Sequence, residues 1–414
     1  MPDLSTRARR RPNWTSSRRS FDQSPMLVFY EMTRACDLVC RHCRACAQPR
    51  RDPRELDTNA SKQLIGQLAQ FPDPPMLILT GGDPFKRTDI YELIDHAISH
   101  GLDVSITPSA TPLVTPDAIE RLRDAGISRM AISIDGADAG THDLNRGVAG
   151  SFDLSLKILQ HAHRCGLGTQ INTTLTPGNV DQIGEMAGLF DELKILLWSV
   201  FFLVPVGRAD RSERLDAAAS EAAFAELYRE SCNRSYLIKT TEAPHYRRYL
   251  LQRWKQAKHQ ARRDAVSEPN AGHSNAGHSN AGHSNAGHSN GGHPNVGPAE
   301  TGHPAKQQPP PFSRGGVNDG KGVMFIGHDG AIHPSGFLPI DCGKFPQLHV
   351  VDVYQNSPIF RQLRDSDALS GKCGDCEFRK ICGGSRARAY ATTGDLFAPE
   401  PDCIYQPTRQ TEAI

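Results

Sequence analysis

No apolar run in this chain of 414 residues approaches the roughly 20 needed to cross a bilayer, so no membrane partner is expected. An excess of charge of one sign is missing too. With 47 basic against 46 acidic residues and a formal net charge of +1, nothing points to nucleic acid or an anionic membrane surface as a partner. Residues 1–24 carry Arg7, Arg9, Arg10, Arg11, Arg18 and Arg19 but lack the apolar core of a secretory signal, and are expected to form a disordered basic tail. A paired complement of cysteines is also absent. The eleven cysteines are odd in number and fall into two clusters with metal-like spacing, plus strays such as Cys165 and Cys232. A disulfide framework is therefore the poorer reading and a reducing cytoplasm the better one.

The length allows two domains with appendages. From residue 25 to about 235, short apolar runs alternate with longer amphipathic stretches, the pattern of β/α units around a parallel sheet. Strands are expected at 26–31, 76–80, 103–107, 129–134, 168–175 and 198–204. Helices are expected at 61–71, 88–99, 116–125, 152–165 and 180–193, with Gly101, Gly126 and Gly166 at helix stops. Right-handed connections curl six such units into an α/β fold, a partial (β/α)6 TIM-like barrel whose site lies at the C-terminal ends of the strands. Residues 236–260 read as a connecting helical segment with a short extended piece near 236–240. Residues 261–315 read as a flexible linker, since four copies of Ala-Gly-His-Ser-Asn fill 271–290 and bury too little apolar surface to order themselves. The repeat histidines could also bind transition metals weakly. Residues 316–407 read as a small C-terminal domain that opens with a hairpin turning at Asp329-Gly330.

Cys36, Cys40 and Cys43 stand in a C-x3-C-x2-C array where the first strand runs out into a loop. Four cysteines close a four-iron cluster, whereas three leave one iron open. Cys46 could instead complete a closed zinc site. The four do not match the bacterial ferredoxin spacing, and Cys46 reads better as a small buried thiol. Further along, Thr80-Gly81-Gly82-Asp83-Pro84 ends the second strand, and its glycines would let backbone approach a ligand closely. Taken alone it is a generic turn. Ser133 and Asp135 end the fourth strand with their side chains on one face, followed by Arg146; the plain alternatives are a turn and a solvated charge. Cys373, Cys376, Cys382 and Cys403 form a second set, with enough thiolates to close a cluster or to hold zinc.

The loop from Thr33 to Cys43 resembles the signature of the radical S-adenosylmethionine (SAM) superfamily, with His42 where an aromatic residue is usual. The resemblance implies a [4Fe–4S] cluster on Cys36, Cys40 and Cys43 whose open iron binds SAM and cleaves it to a 5′-deoxyadenosyl radical. It implies SAM contacts at Gly81, Gly82, Asp83 and Pro84, Asp83 replacing the commoner glutamate. Ser133 and Asp135 would lie at the ribose, Arg146 at the SAM carboxylate, and Asn172, with Thr173, Thr174 and Leu203 to Pro205, near the adenosine. The C-terminal cysteines resemble the auxiliary-cluster extension of SPASM or twitch type, most like that of the radical SAM enzymes of alternative heme and heme d1 biosynthesis. Such relatives often carry cysteine where this chain has Ser335 and Ser385, so one auxiliary [4Fe–4S] cluster is implied; Cys342 is a stray. Heme-type relatives remove or oxidise tetrapyrrole propionates, while others modify ribosomally made peptides or quinone-cofactor precursors. Arg386 and Arg388 could pair with propionates or equally satisfy local carbonyls and carboxylates. An electron donor such as flavodoxin or ferredoxin is implied as a partner. A non-catalytic iron–sulfur or zinc protein is the alternative of another class, and a scaffold would have no use for the SAM-pocket residues.

Overall fold

The computed structural model describes residues 19–267 and 316–408. The repeats and most of the basic tail lie outside the described residues. Seven strands and eight helices come first: β1 (Leu27–Glu31), α1 (Thr58–Leu68), β2 (Met76–Thr80), α2 (Ile90–Ser99), β3 (Asp103–Ile106), α3 (Pro116–Ala125), β4 (Arg129–Ser133), α4 (Ala139–Arg146), α5 (Ser151–Arg164), β5 (Thr169–Leu175), α6 (Ile183–Glu192), β6 (Leu197–Phe202), α7 (Ala217–Asn233), β7 (Leu237–Thr241) and α8 (His245–Ser267). The C-terminal region adds β8 (Val323–Ile326), β9 (Ile332–His333), α9 (Val350–Asn356), α10 (Pro358–Arg364), α11 (Gly371–Gly374) and α12 (Arg386–Thr393).

All nine strands form one sheet in the order β7-β6-β5-β4-β3-β2-β1-β8-β9, curled into a half-barrel. Every neighbouring pair is parallel except β8 with β9. One face of each strand packs on helices. On β1 that face is Val28 and Tyr30, both fully buried, and the Tyr30 hydroxyl sits 2.8 Å from Ser61 Oγ on α1. Helix limits follow local chemistry. Asp57 caps α1 and Thr115 caps α3, each accepting from a backbone N–H three residues on. Gly126 closes α3 in a left-handed conformation (φ +87°) that a side chain would strain.

Two strands and two helices depart from the sequence reading. The short extended piece near residue 237 is a seventh parallel strand on β6. The Asp-Gly hairpin forms, and its first strand lies parallel to β1, carrying the barrel sheet into the C-terminal region. Residues 139–146, outside the helices expected from sequence, are helical, capped by Asp138 and stopped by Gly147. Helix α8 runs to Ser267, so the start of the supposed linker is helical. The described residues fall into two units: 19–249 with 316–408, and 250–267, which is the remainder of α8.

Candidate active site and a second cysteine site

The loop after β1 folds over the C-terminal ends of the strands because several elements grip its backbone. Cys36 N–H donates to Gln48 O at 2.8 Å and Gln48 N–H to Arg34 O at 2.9 Å, closing the loop on itself. The last turn of α4 accepts from it, with Val39 N–H on Arg146 O and Arg41 N–H on Asn145 O. Arg208, after β6, donates from Nε to Cys40 O at 3.0 Å and from Nη1 to Ala47 O at 3.1 Å. Gly207 before it, at φ +65°, runs so close that an added Cβ would sit 2.4 Å from the carbonyl oxygens of Cys43 and Arg44. Neither Gly207 nor Arg208 was legible as a site residue, since nothing local ties them to a loop 160 residues away.

Gly81 and Gly82 serve this loop first. A Cβ on either would come within 2.3 Å of Thr33 O or Ala35 O, and Gly82 N–H and Asp83 N–H donate to those oxygens at 2.7 Å. Pro84 is the first residue of a 3-10 turn. Asp83 is fully buried as the cap of that turn, accepting from Phe85 N–H at 3.1 Å and Thr111 Oγ1 at 2.9 Å. Burial pushes its pKa up, and these donors only partly offset that. Its carboxylate ties its own turn to the segment after β3 rather than facing a ligand.

Cys36 and Cys40 are buried and Cys43 partly so. Each sulfur meets a donor. Leu38 N–H points at Cys36 Sγ and Ala47 N–H at Cys43 Sγ, both at 3.4 Å, and Arg146 Nη1 lies 3.7 Å from Cys40 Sγ. Burial raises the Cys36 thiol pKa, against the pull of Ser109 and Leu38. Cys46 is exposed, with a left-handed φ of +47°, which corrects the expectation of a buried thiol. The turn after Cys43 throws it outward, and its carbonyl is held by Arg34 Nη2 at 3.0 Å. No three or more His, Cys, Asp or Glu among the described residues converge on a point fit for one metal ion. A lone zinc needs its thiolates about 2.3 Å from one centre, whereas a four-iron cubane spreads its ligands wider.

Asp135, fully buried just beyond β4, gathers the polar groups of this site. Arg146 Nη2 is 2.6 Å and His42 Nε2 3.3 Å from its Oδ2, and Oδ1 accepts from Thr174 N–H at 2.7 Å. Burial alone would raise its pKa, but Arg146, His42 and His142 hold it below the usual carboxylate range. Asp135 Oδ2, His42 Nδ1 and Arg146 Nε are buried without a well-directed hydrogen bond. Three sulfurs with donors, beside a charged group with unsatisfied polar atoms, fit an anionic iron–sulfur cluster with a zwitterionic, ribose-bearing ligand. His142 supports Asp135 from below, accepting from its N–H at Nδ1 (3.1 Å). Ser133 and Asn172 are paired in register and partly exposed. Thr173 is different: it is buried, its hydroxyl donating to Ile134 O and accepting from Trp198 Nε1. Leu203 and Val204 are likewise buried, Val204 in an apolar cluster with Leu338, Leu363 and Ala387.

The second set is compact. Cys373, Cys376, Cys382 and Cys403 line one pocket together with His245, Arg248 and Glu400. Gly384 N–H points at Cys382 Sγ (3.4 Å) and Glu400 N–H at Cys373 Sγ (3.3 Å). Burial raises the Cys382 thiol to about 12 and Cys376 to about 11. Thiolates here need a bound cation to be stable, which fits a four-thiolate cluster. Cys342 is absent from the lining. Arg388 is locked to Glu400 and Asp402 at 3.0 Å each, and Arg386 donates to Leu396 O and Ala398 O. Both arginines thus satisfy local groups. Ser385, at a position where a ligand could have stood, caps α12 and donates to Glu242 Oε2 at 2.5 Å.

Comparison with known proteins adds four findings. The profile of the radical SAM superfamily matches residues 30–190. The chain is 36% identical over 396 residues to the AdoMet-dependent heme synthase of Nitratidesulfovibrio vulgaris, covering 94% of this chain and 95% of that one. To the mycofactocin maturase of Mycolicibacterium smegmatis it is 34% identical over 167 residues, 40% of this chain and 42% of the other. Among solved structures, Streptococcus suis SuiB bound to S-adenosylmethionine superposes with a TM-score of 0.64 at 17% identity, over 92% of this chain and 78% of that one.

Proposed function

The chain belongs to the radical SAM superfamily, and from that premise we propose that it acts on a tetrapyrrole, removing propionate carboxyl groups on the way to heme. It is a radical SAM enzyme, and its cofactors are a [4Fe–4S] cluster with SAM and an auxiliary cluster. The observation that carries the tetrapyrrole reading is coverage. Likeness to the heme synthase spans 94% of the chain, whereas likeness to the mycofactocin maturase is confined to two fifths of it.

When bound, these groups supply a 5′-deoxyadenosyl radical that takes a hydrogen atom, and an acceptor for the electron left when a propionate loses carbon dioxide. The chain's own residues set the geometry. Cys36, Cys40 and Cys43 hold the first cluster, leaving one iron open. Arg146 presents its guanidinium for a carboxylate, a charge-assisted contact suited to its planar fork. Asp135, kept ionised by Arg146 and His42, accepts from ribose hydroxyls. Gly81 to Pro84 bring a tight turn against the loop, and Ser133 and Asn172 line the adenosine side. Cys373, Cys376, Cys382 and Cys403 take the auxiliary cluster. A cytoplasmic setting and a flavodoxin or ferredoxin as donor complete the reading. Among the described residues no helix is long and apolar enough to cross a membrane.

The test is anaerobic reconstitution with SAM, reductant and either iron coproporphyrin or candidate peptides, measuring 5′-deoxyadenosine and substrate mass. Loss of carbon dioxide from the porphyrin is the expected result. Modification of a peptide, with the porphyrin untouched, would overturn the tetrapyrrole reading.

A further inference from the structure

The concave face of the half-barrel can be traced through the strand register. On β6, Trp198 and Phe202 turn outward onto Phe190 of α6 and Phe224 of α7. Ser199 between them therefore faces inward, because side chains alternate along a strand. Asn172 on β5, Ser133 on β4 and Lys239 on β7 are in register with it. Four polar side chains thus line the inside of the barrel in one row, with an ammonium at its end.

Lys239 is partly buried and makes no hydrogen bond or ion pair among the described residues. The charge that acts on it is a like charge, Arg129 on β4. Strands β4 and β7 are three places apart in the sheet, so the two cations meet across the concave side. Burial and Arg129 push the Lys239 pKa down to about 8, which leaves it mostly protonated near neutrality. Inward-facing carboxylates are already engaged: Glu31 with Arg44 and His328 at 2.8 and 2.9 Å, Asp135 with Arg146 at 2.6 Å, and Asp103 with Ser128. Beside Lys239, Ser199 Oγ and Thr241 Oγ1 lie 3.1 Å apart. In such a pair one hydroxyl donates to the other and the second keeps a proton to offer.

We propose that Lys239, with the Ser199–Thr241 hydroxyl pair, is the subsite that takes a carboxylate of the substrate inside the barrel. A partly buried ammonium without a counter-charge is relieved by an anion. Strand spacing puts Lys239 about 10 Å from Asn172 across the sheet, a reach that a flat tetrapyrrole covers while one edge faces the cofactor side. This assignment rests on the tetrapyrrole reading for the identity of the ligand, but not for its charge.

The experiment is an absorbance titration of reconstituted, SAM-loaded full-length enzyme with iron coproporphyrin and with its tetramethyl ester. Wild type, Lys239→Met and Lys239→Arg are compared. Lys239→Met should weaken binding of the acid by about tenfold or more, the scale of a lost charged hydrogen bond, with little effect on the ester. Lys239→Arg should restore most of the acid's affinity. Equal binding of the acid by wild type and Lys239→Met overturns the subsite. If wild type binds no porphyrin, the tetrapyrrole reading falls, and reductive methylation of the same enzyme decides the subsite. Succinate that slows modification of Lys239 severalfold, read by peptide mass spectrometry, upholds an anion site; an unchanged rate ends it.

Discussion

At the first cysteine site three thiols share their surroundings with an aspartate, an arginine and a histidine that retain unbonded polar atoms. At the second, four thiols face one pocket, and the nearby ions Arg388, Glu400 and Asp402 are paired with one another. The ligand chemistry is the same, but the surroundings ask for different things. The first set is incomplete both in thiolates and in hydrogen bonds, so a small polar ligand completes both at once. The second is complete in thiolates, which suits passing an electron rather than binding a molecule.

The largest effect that could break this contrast comes from the first site. Replacing Cys36, Cys40 and Cys43 together by alanine should abolish SAM cleavage and lower bound iron from about eight to about four per chain. Cys46→Ala, at an exposed residue, should leave both nearly intact. A preparation that stops at about four irons with zinc present in the unmutated chain would remove the auxiliary cluster from the account.

Next in size is an uncoupling. Cys382→Ala should cut product formation by about tenfold or more while 5′-deoxyadenosine still forms, since the two thiol sets share no ligand. The measurement is the ratio of 5′-deoxyadenosine to product. An equal fall in both, in protein that keeps its first cluster, would erase the division of labour.

Gly207→Ala sharpens the contrast from the backbone side. Its Cβ would collide with the carbonyls of Cys43 and Arg44 at a left-handed φ, a strain of about 1–3 kcal/mol. Thermal melting should show that loss, together with lower occupancy of the first cluster alone. Unchanged iron binding would mean that the loop does not depend on this contact.

Much of the contrast was readable from residue spacing. Both cysteine sets and the six-strand core were visible, since local periodicity and short-range spacing carry them. What could not be read were long-range pairings. Helix α4, which delivers Arg146 to Cys40, is short and polar with only His142 buried, so it offers little helical periodicity. β7 begins with the exposed Leu237 and carries polar residues, and its place in the sheet comes from register with β6. β8 reaches β1 across nearly 300 residues. The same limit left Arg386 and Arg388 open between substrate and local partners, because their carboxylate and carbonyl partners approach only after folding.

The smallest effect is a pH dependence beneath the first site. His142 is fully buried, with Nδ1 on Asp135 N–H and Nε2 3.2 Å from Ser151 Oγ. Burial, then the positive charge of Arg146, lowers its pKa to about 4 from the ordinary 6.5. A histidine depressed in this way favours the folded state at pH above 6.5, and that contribution drains away as pH falls toward 4, where the unfolded chain has taken up a proton that the folded one refuses. At pH 5 the loss is about 2 kcal/mol relative to pH 8. His142→Asn keeps an acceptor for Asp135 N–H but cannot titrate, so its melting temperature should fall less between pH 8 and pH 5 than that of the wild type. Asp135 cannot account for the difference, because its own pKa lies below 3.8 and its contribution is lost only in stronger acid. His245 in the second pocket is also depressed, to about 3, mainly by burial, and remains in both proteins, so the difference between them isolates the first site. Identical pH profiles for the two proteins would show that the imidazole beneath Asp135 is not held neutral.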